Sequence, residues 1–151
     1  VVRNVANLVP PYQPDDNYHG VSAAIEFGVC DLGVREIVVL GHAFCGGIKA
    51  LCSHVQGEER NNRQFITPWI KIALPIMGHF NQNLENDLNI HEVEKAAVVN
   101  SMDNLRTFPW LSSLEDQGEL KIHGWWFDME HGVLWAYNGE LKAFYPVGEG
   151  N

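Results

Sequence analysis

Apolar residues along the first third of the chain follow two different periods. Between Tyr18 and about Leu32, the residues Val21, Ala24, Ile25, Gly28, Val29 and Leu32 recur at helical spacing. Asp16 or Asn17 stands where an N-cap belongs, and Gly33 where a glycine follows a helix end. Ile37-Val38-Val39-Leu40, set between Glu36 and Gly41, is instead a short unbroken apolar run, which predicts a strand buried on both faces. Val1-Val2-Arg3-Asn4 reads as the end of an earlier strand, so the order strand, helix, strand predicts a right-handed parallel crossover. Pro10, Pro11, Pro14 and Asp15-Asp16 mark a loop within it.

After Gly46-Gly47 the helical period returns through Ile48, Leu51, Cys52 and Val55 and ends near Gly57. Pro68, Pro75 and several Asn residues interrupt the stretch from Glu58 to Ile90, leaving short helices around Trp69–Ile72 and Pro75–Phe80. His91 to Leu105 is a longer helix with Val98, Met102 and Leu105 on one stripe, closed by Pro109. Glu119–Trp126, Gly132–Tyr137 and Leu141–Phe144 read as strands, and Asn138-Gly139 as a hairpin signal between the last two. At 151 residues the chain is the length of one domain, residues 1–151, and its strand–helix–strand order is that of an α/β parallel crossover.

Composition narrows the function. Ten Lys and Arg against nineteen Asp and Glu give a net charge of −9, which argues against a nucleic-acid binder, since such proteins neutralise phosphates with clustered cations. The longest apolar runs fall far short of the roughly 20 residues of a membrane span. Three cysteines, Cys30, Cys45 and Cys52, are too few and odd in number for a disulfide framework, which points to a reducing compartment.

Candidate chemistry concentrates in Gly41-His42-Ala43-Phe44-Cys45-Gly46-Gly47, just past the carboxyl end of the predicted buried strand, where open parallel sheets bind ligands. His42 and Cys45 are close enough in sequence to reach one ion, and imidazole with thiolate suits Zn²⁺. A buried Cys beside a hydrogen-bonded His is the alternative for a bare H-x-x-C pair. Gly46 and Gly47 free the backbone where it enters the helix, so N–H groups there can face an anion. Cys30 and Cys52 read as core residues on apolar helix faces, and His123 as a satisfied core histidine. His19, His54, His79 and His131 read as surface or capping residues, Glu58-Glu59, Glu92 and Glu94 as solvated charges. Trp125, Trp126, Phe127, Trp135 and Tyr137 read as core on one sheet face and interface on the other.

Four blocks in order, Val1-Val2-Arg3-Asn4-Val5-Ala6-Asn7, Gly20 to Phe27, Ile37 to Gly47, and His123-Gly124-Trp125-Trp126-Phe127-Asp128, resemble the β-class carbonic anhydrases over nearly the whole chain. The resemblance implies a zinc enzyme interconverting CO₂ and bicarbonate, with a mostly parallel β-sheet flanked by helices and C-terminal strands forming a hairpin or edge. It also implies a homo-oligomer, dimer or higher, with the active site at the subunit interface. His42 and Cys45 would supply two of three protein ligands to zinc. The third, a Cys in a C-x-D-x-R motif whose Asp and Arg orient solvent at the metal, is expected upstream of Val1, so the catalytic domain is expected to be N-terminally incomplete here. By the same resemblance the Gly46 N–H contacts substrate, Val5 and Phe27 line an apolar CO₂ pocket where many members carry Tyr in place of Phe27, and Arg3 matches a bicarbonate-binding regulatory arginine. His19 or a surface carboxylate would relay the proton. A non-catalytic truncated relative and a hydrolase of COS or CS₂ are the alternatives. The expected compartment is the cytoplasm or an organelle interior.

Overall fold

The computed structural model describes residues 1–57, 63–80 and 90–148. In chain order these form α1 (Gly20–Glu26), β1 (Glu36–His42), α2 (Gly46–Val55), α3 (Ile66–Ile70), α4 (Leu74–Met77), α5 (Ile90–Arg106), α6 (Pro109–Asp116), β2 (Lys121–Asp128), β3 (Val133–Asn138) and β4 (Ala143–Pro146). The strands make one sheet in the order β1-β2-β3-β4. β1 and β2 are parallel from Glu36 opposite Lys121 to His42 opposite Phe127, whereas β2–β3 and β3–β4 are antiparallel. The sheet is therefore mixed rather than mostly parallel, because two four-residue hairpin loops, not crossovers, join the last three strands.

Helix α5 is the organising element. Its Val93 and Ala97 join Ala6, Leu8, Ile48, Leu51, Ile70 and Met77 in one apolar cluster. Val98, Met102 and Leu105 join Val9, Val29, Val39, Leu111 and Ile122 in a second cluster beneath the sheet. Gly124 of β2 lies so close under α5 that a Cβ there would sit 2.4 Å from the Met102 sulfur. α5 is thus pressed directly on the strand backbone.

Several sequence expectations change. Val1–Asn4 is exposed and outside any ladder, so among the described residues the early strand and its crossover are not formed, a strand existing only through partner backbone. The first helix is α-helical to Glu26 and continues as a π turn over Phe27–Asp31, with Gly33 beyond its end at φ 62° as expected. His19, not Asp16 or Asn17, occupies the N-cap position. The Asp15 carboxylate instead accepts the Asn17 N–H at 2.7 Å and pairs with His19 at 2.6 Å, which holds its pKa down at about 2.

β1 alternates in burial instead of being buried on both sides. Val39 and Gly41 face α5, while Val38 and Leu40 are 42% and 53% exposed on the opposite face. Register places Phe127 of β2 and Tyr145 of β4 on that outer face as well, both exposed. Pro109 does not merely end α5; it opens α6, a helix the sequence reading missed, at the position where a missing N–H costs nothing. Cys30 is exposed, not core. His123 is also no core residue: it sits part-exposed on the outer face, paired with Glu36 at 2.6 Å. Glu58 and Glu59 lie outside the described residues.

The two hairpins share one construction. Asp128 accepts the N–H groups of Glu130 and His131, and Asn138 those of Glu140 and Leu141. A left-handed residue, Gly132 or Lys142, then leads into the next strand. Asn138-Gly139 therefore starts a four-residue loop, not a two-residue turn. In the first loop the Asp128 carboxylate also pairs with His131 Nδ1 at 2.8 Å and pushes the His131 pKa up, first by that hydrogen bond and then by its charge. Desolvation, the largest single influence on Asp128, raises it, but the bonds from the His131 amide and ring and the Glu130 amide outweigh that and leave it low. The pair thus contributes fully between the ordinary carboxylate and imidazole values, about 4 to 6.5. It fades as pH rises through the raised His131 value or falls through the lowered Asp128 value. In an NMR titration the His131 midpoint is expected above that of an unpaired histidine, and Asp128→Asn is expected to return it downward.

Candidate metal centre

The turn Ala43-Phe44-Cys45 carries the chain from the last residue of β1, His42, into α2. Ala43 prolongs the parallel ladder by donating its N–H to Phe127 O at 2.9 Å. Phe44 then takes φ 59°, a left-handed conformation that costs a residue with a Cβ roughly 1–2 kcal/mol. Its ring packs edge-on against His91 at 5.1 Å. Cys45 is the N-cap residue of α2, and its carbonyl accepts the first helical bond, from Lys49 N at 3.0 Å.

His42 is exposed on the outer face and Cys45 is buried at 5%. His42 Nδ1 lies 2.8 Å from Ala43 O. A carbonyl only accepts, so Nδ1 carries the hydrogen, and in the neutral ring Nε2 keeps its lone pair. That is the tautomer a metal-binding histidine needs, fixed by a second bond of the usual type. The donor types suit Zn²⁺. The number falls short: no group of three or more His, Cys, Asp and Glu is gathered for a metal among the described residues. The two residues present fit half of a tetrahedral site.

The other cysteine of α2, Cys52, points into the core, where burial first and the Glu94 charge second push its thiol pKa up. A thiol kept protonated is a poor ligand, so Cys52 is no candidate for the metal.

Val5 is brought to the turn: a Cβ on Gly47 would stand 2.7 Å from Val5 Cγ1 and 2.8 Å from Ala6 Cβ. The role of Gly47 is thus close approach. Gly46 has open space at its Cβ position and opens α2, where helix N–H groups lack intrahelical partners. Phe27 is 57% exposed on the π turn, and no described contact joins it to His42 or Cys45. Arg3 is exposed.

The residue that sequence reasoning missed is Glu94. Far from being solvated, it is 1% exposed and accepts hydrogen bonds from Cys45 N at 2.8 Å, His91 Nδ1 at 2.9 Å and Trp126 Nε1 at 3.2 Å. Glu92, by contrast, meets Lys95 at the surface.

A mixed sheet flanked by helices, with a His-x-x-Cys turn at the carboxyl end of a strand, is an α/β architecture shared with known proteins. The sequence profile described as Carbonic anhydrase matches residues 1–134, and the chain belongs to the β class of that family. It is 32% identical over 151 residues to a protein named Carbonic anhydrase from Pseudomonas aeruginosa, covering 99% of this chain and 66% of that one. It is 38% identical over 130 residues to Beta carbonic anhydrase 5, chloroplastic, of Arabidopsis thaliana, covering 84% of this chain and 42% of that one. The solved β-carbonic anhydrase CcaA superposes with a TM-score of 0.81 at 29% identity, over 96% of this chain and 65% of that one. A tetrameric β-carbonic anhydrase of Sordaria macrospora, at 21% identity, shares the fold with a TM-score of 0.72 over 99% of this chain and 68% of that one. The chain spans 42% to 66% of the length of these curated relatives. Among the described residues no helix is long and apolar enough to cross a membrane.

Proposed function

We propose that the chain supplies half of a zinc site for the reversible hydration of CO₂ to bicarbonate and a proton. The observation that carries this reading is the His42 ring, held by the Ala43 carbonyl with Nε2 left as the free lone pair, three residues before a buried thiol in a family of carbonic anhydrases. Zinc, when bound, supplies a Lewis acid that lowers the pKa of water and so provides a nucleophile near neutral pH. His42 and Cys45 would hold it, and the third ligand would be a Cys of a C-x-D-x-R segment whose Asp and Arg orient solvent.

β1 is an edge of the described sheet with apolar side chains on its outer face, and an edge of this kind is ordinarily paired or covered. It suits a further strand carrying that motif. Val5 gives the site an apolar wall, which favours uncharged CO₂ and excludes water. The Gly46 N–H, in the first turn of α2, would orient an anionic product oxygen. Phe27 would complete the apolar pocket and Arg3 a bicarbonate contact, each with surface contributed by a second copy. The exposed Val38, Leu40, Phe127 and Tyr145 fit that homo-oligomer, and the Sordaria relative is described as tetrameric. His19, paired with Asp15 at the surface, is the candidate to pass the proton to solvent.

Stopped-flow CO₂ hydration by protein that includes the C-x-D-x-R segment, before and after zinc removal by a chelator, tests this. Turnover that disappears with the metal and returns on adding zinc is expected. Turnover indifferent to zinc would refute the reading, and none at any zinc level would favour a non-catalytic relative. A higher kcat/KM for COS or CS₂ than for CO₂ would move the assignment to those substrates.

A further inference from the structure

We propose that Glu94 is a positioning residue for the metal turn, holding the Cys45 backbone, and through it the thiol, in its ligating conformation. The proposal rests on the zinc reading above. A carboxylate removed from water is costly unless every oxygen is bonded, and Glu94 meets that condition with three N–H donors from three separate elements. Oε1 takes the Cys45 amide of the turn; Oε2 takes the His91 ring of α5 and the Trp126 indole of β2. The Cys45 amide precedes the first turn of α2 and has no acceptor within that helix. In a position only 5% exposed it would be orphaned without Glu94.

The same cluster meets the strained link between the two donors. The Phe44 ring meets His91 edge-on, and the His91 ring lies 5.3 Å from that of Trp126, tilted by 59°. Unusual backbone conformations persist only where their surroundings over-determine them. Here the Glu94–His91–Trp126 group holds the turn at two consecutive residues, through the Phe44 ring and the Cys45 amide. An apolar core would stabilise the fold as well as a buried carboxylate does. What the carboxylate adds is one fixed direction for the Cys45 amide. Conservation of geometry in the groups behind metal ligands typically governs affinity by 10- to 100-fold.

The test uses Glu94→Leu, which removes the acceptor at similar volume, and Glu94→Gln, which keeps one acceptor oxygen and turns an N–H₂ toward the donors of the cluster. Zinc affinity is measured by competition with a chromophoric chelator, and the thiolate-to-metal absorption band is recorded with Co²⁺ in place of zinc. The expected result is zinc binding weakened about 10- to 100-fold in Glu94→Leu and less in Glu94→Gln, with the cobalt band displaced in both. Should Glu94→Leu fail to fold, Glu94→Gln carries the comparison. Cys45→Ser separates the two ideas. If it loses zinc while both Glu94 variants keep the parent affinity and cobalt band, the positioning role is wrong and the zinc site stands. If it binds zinc as the parent does, the zinc reading falls and takes the positioning role with it.

Discussion

Cys45→Ser is expected to strip zinc from the protein and lower CO₂ hydration by at least about 100-fold, more than losing a group behind a ligand does. Cys52→Ala and Cys30→Ser are expected to leave zinc content unchanged. The contrast follows from where each thiol sits. Zinc takes the thiolate, so a ligand cysteine must lose its proton on binding. Cys45 stands at the N-terminus of α2, in the turn that follows His42. Cys52 lies on the core face of the same helix, where burial and the Glu94 charge both oppose ionisation. Cys30 is exposed on the π turn, in a segment with no described contact to β1's end. A serine hydroxyl at position 45 keeps the shape but not the acidity or softness of sulfur, so the variant is expected to melt near the parent temperature while its zinc is lost. Zinc analysis after gel filtration, beside thermal melts of all three variants, checks this. Equal zinc loss in Cys52→Ala would show that the wrong cysteine had been assigned.

The His42–Cys45 turn was legible because it is local: glycine-flanked donors at the end of an apolar run need no knowledge of the rest of the fold. The long helix was legible for the same reason, its stripe of Val98, Met102 and Leu105 being written in the spacing. Glu94 was not, although the same stripe carried one turn toward the N-terminus lands on it. Two acidic residues flanking Val93 look alike in sequence, and the donors that tell them apart, Cys45 N and Trp126 Nε1, are 49 and 32 residues away. Strand β1 failed in the opposite direction. Its unbroken apolar run predicts burial on both faces, but apolarity reports what a surface is suited to bury and not whether this segment buries it. The outer half, Val38 and Leu40, remains exposed. Helix α6 was lost to Pro109, read as a stop when its position two residues after a turn made it a start.

Gly47→Ala is expected to destabilise the protein by about 1–3 kcal/mol and to weaken zinc retention, although it adds a single methyl to an exposed-looking Gly-Gly pair. In the helix interior the same change would ordinarily stabilise, since alanine is the better helix former. Here the new Cβ meets Val5 Cγ1 at 2.7 Å, Ala6 Cβ at 2.8 Å and the Ala6 backbone N at 3.1 Å. The segment it strikes has little freedom to retreat. Trp69 Nε1 donates to Val5 O, Ser101 Oγ donates to Asn7 O and accepts from Val9 N, and Asn104 Nδ2 donates to Val9 O. Four hydrogen bonds from α3 and α5 therefore fix the strap from Val5 to Val9, and α2 must yield instead, carrying Cys45 with it. Gly46→Ala, one residue earlier with nothing within 4 Å of its Cβ position, is expected to leave the melting temperature near the parent value. Adding Val5→Ala to Gly47→Ala removes the nearest contact but not those to Ala6, so the double variant is expected to recover part of the loss, seen as a favourable coupling in a double-mutant cycle. Melting curves in which Gly46→Ala and Gly47→Ala behave alike would show that the strap moves freely, and the apolar wall assigned to Val5 would lose its support.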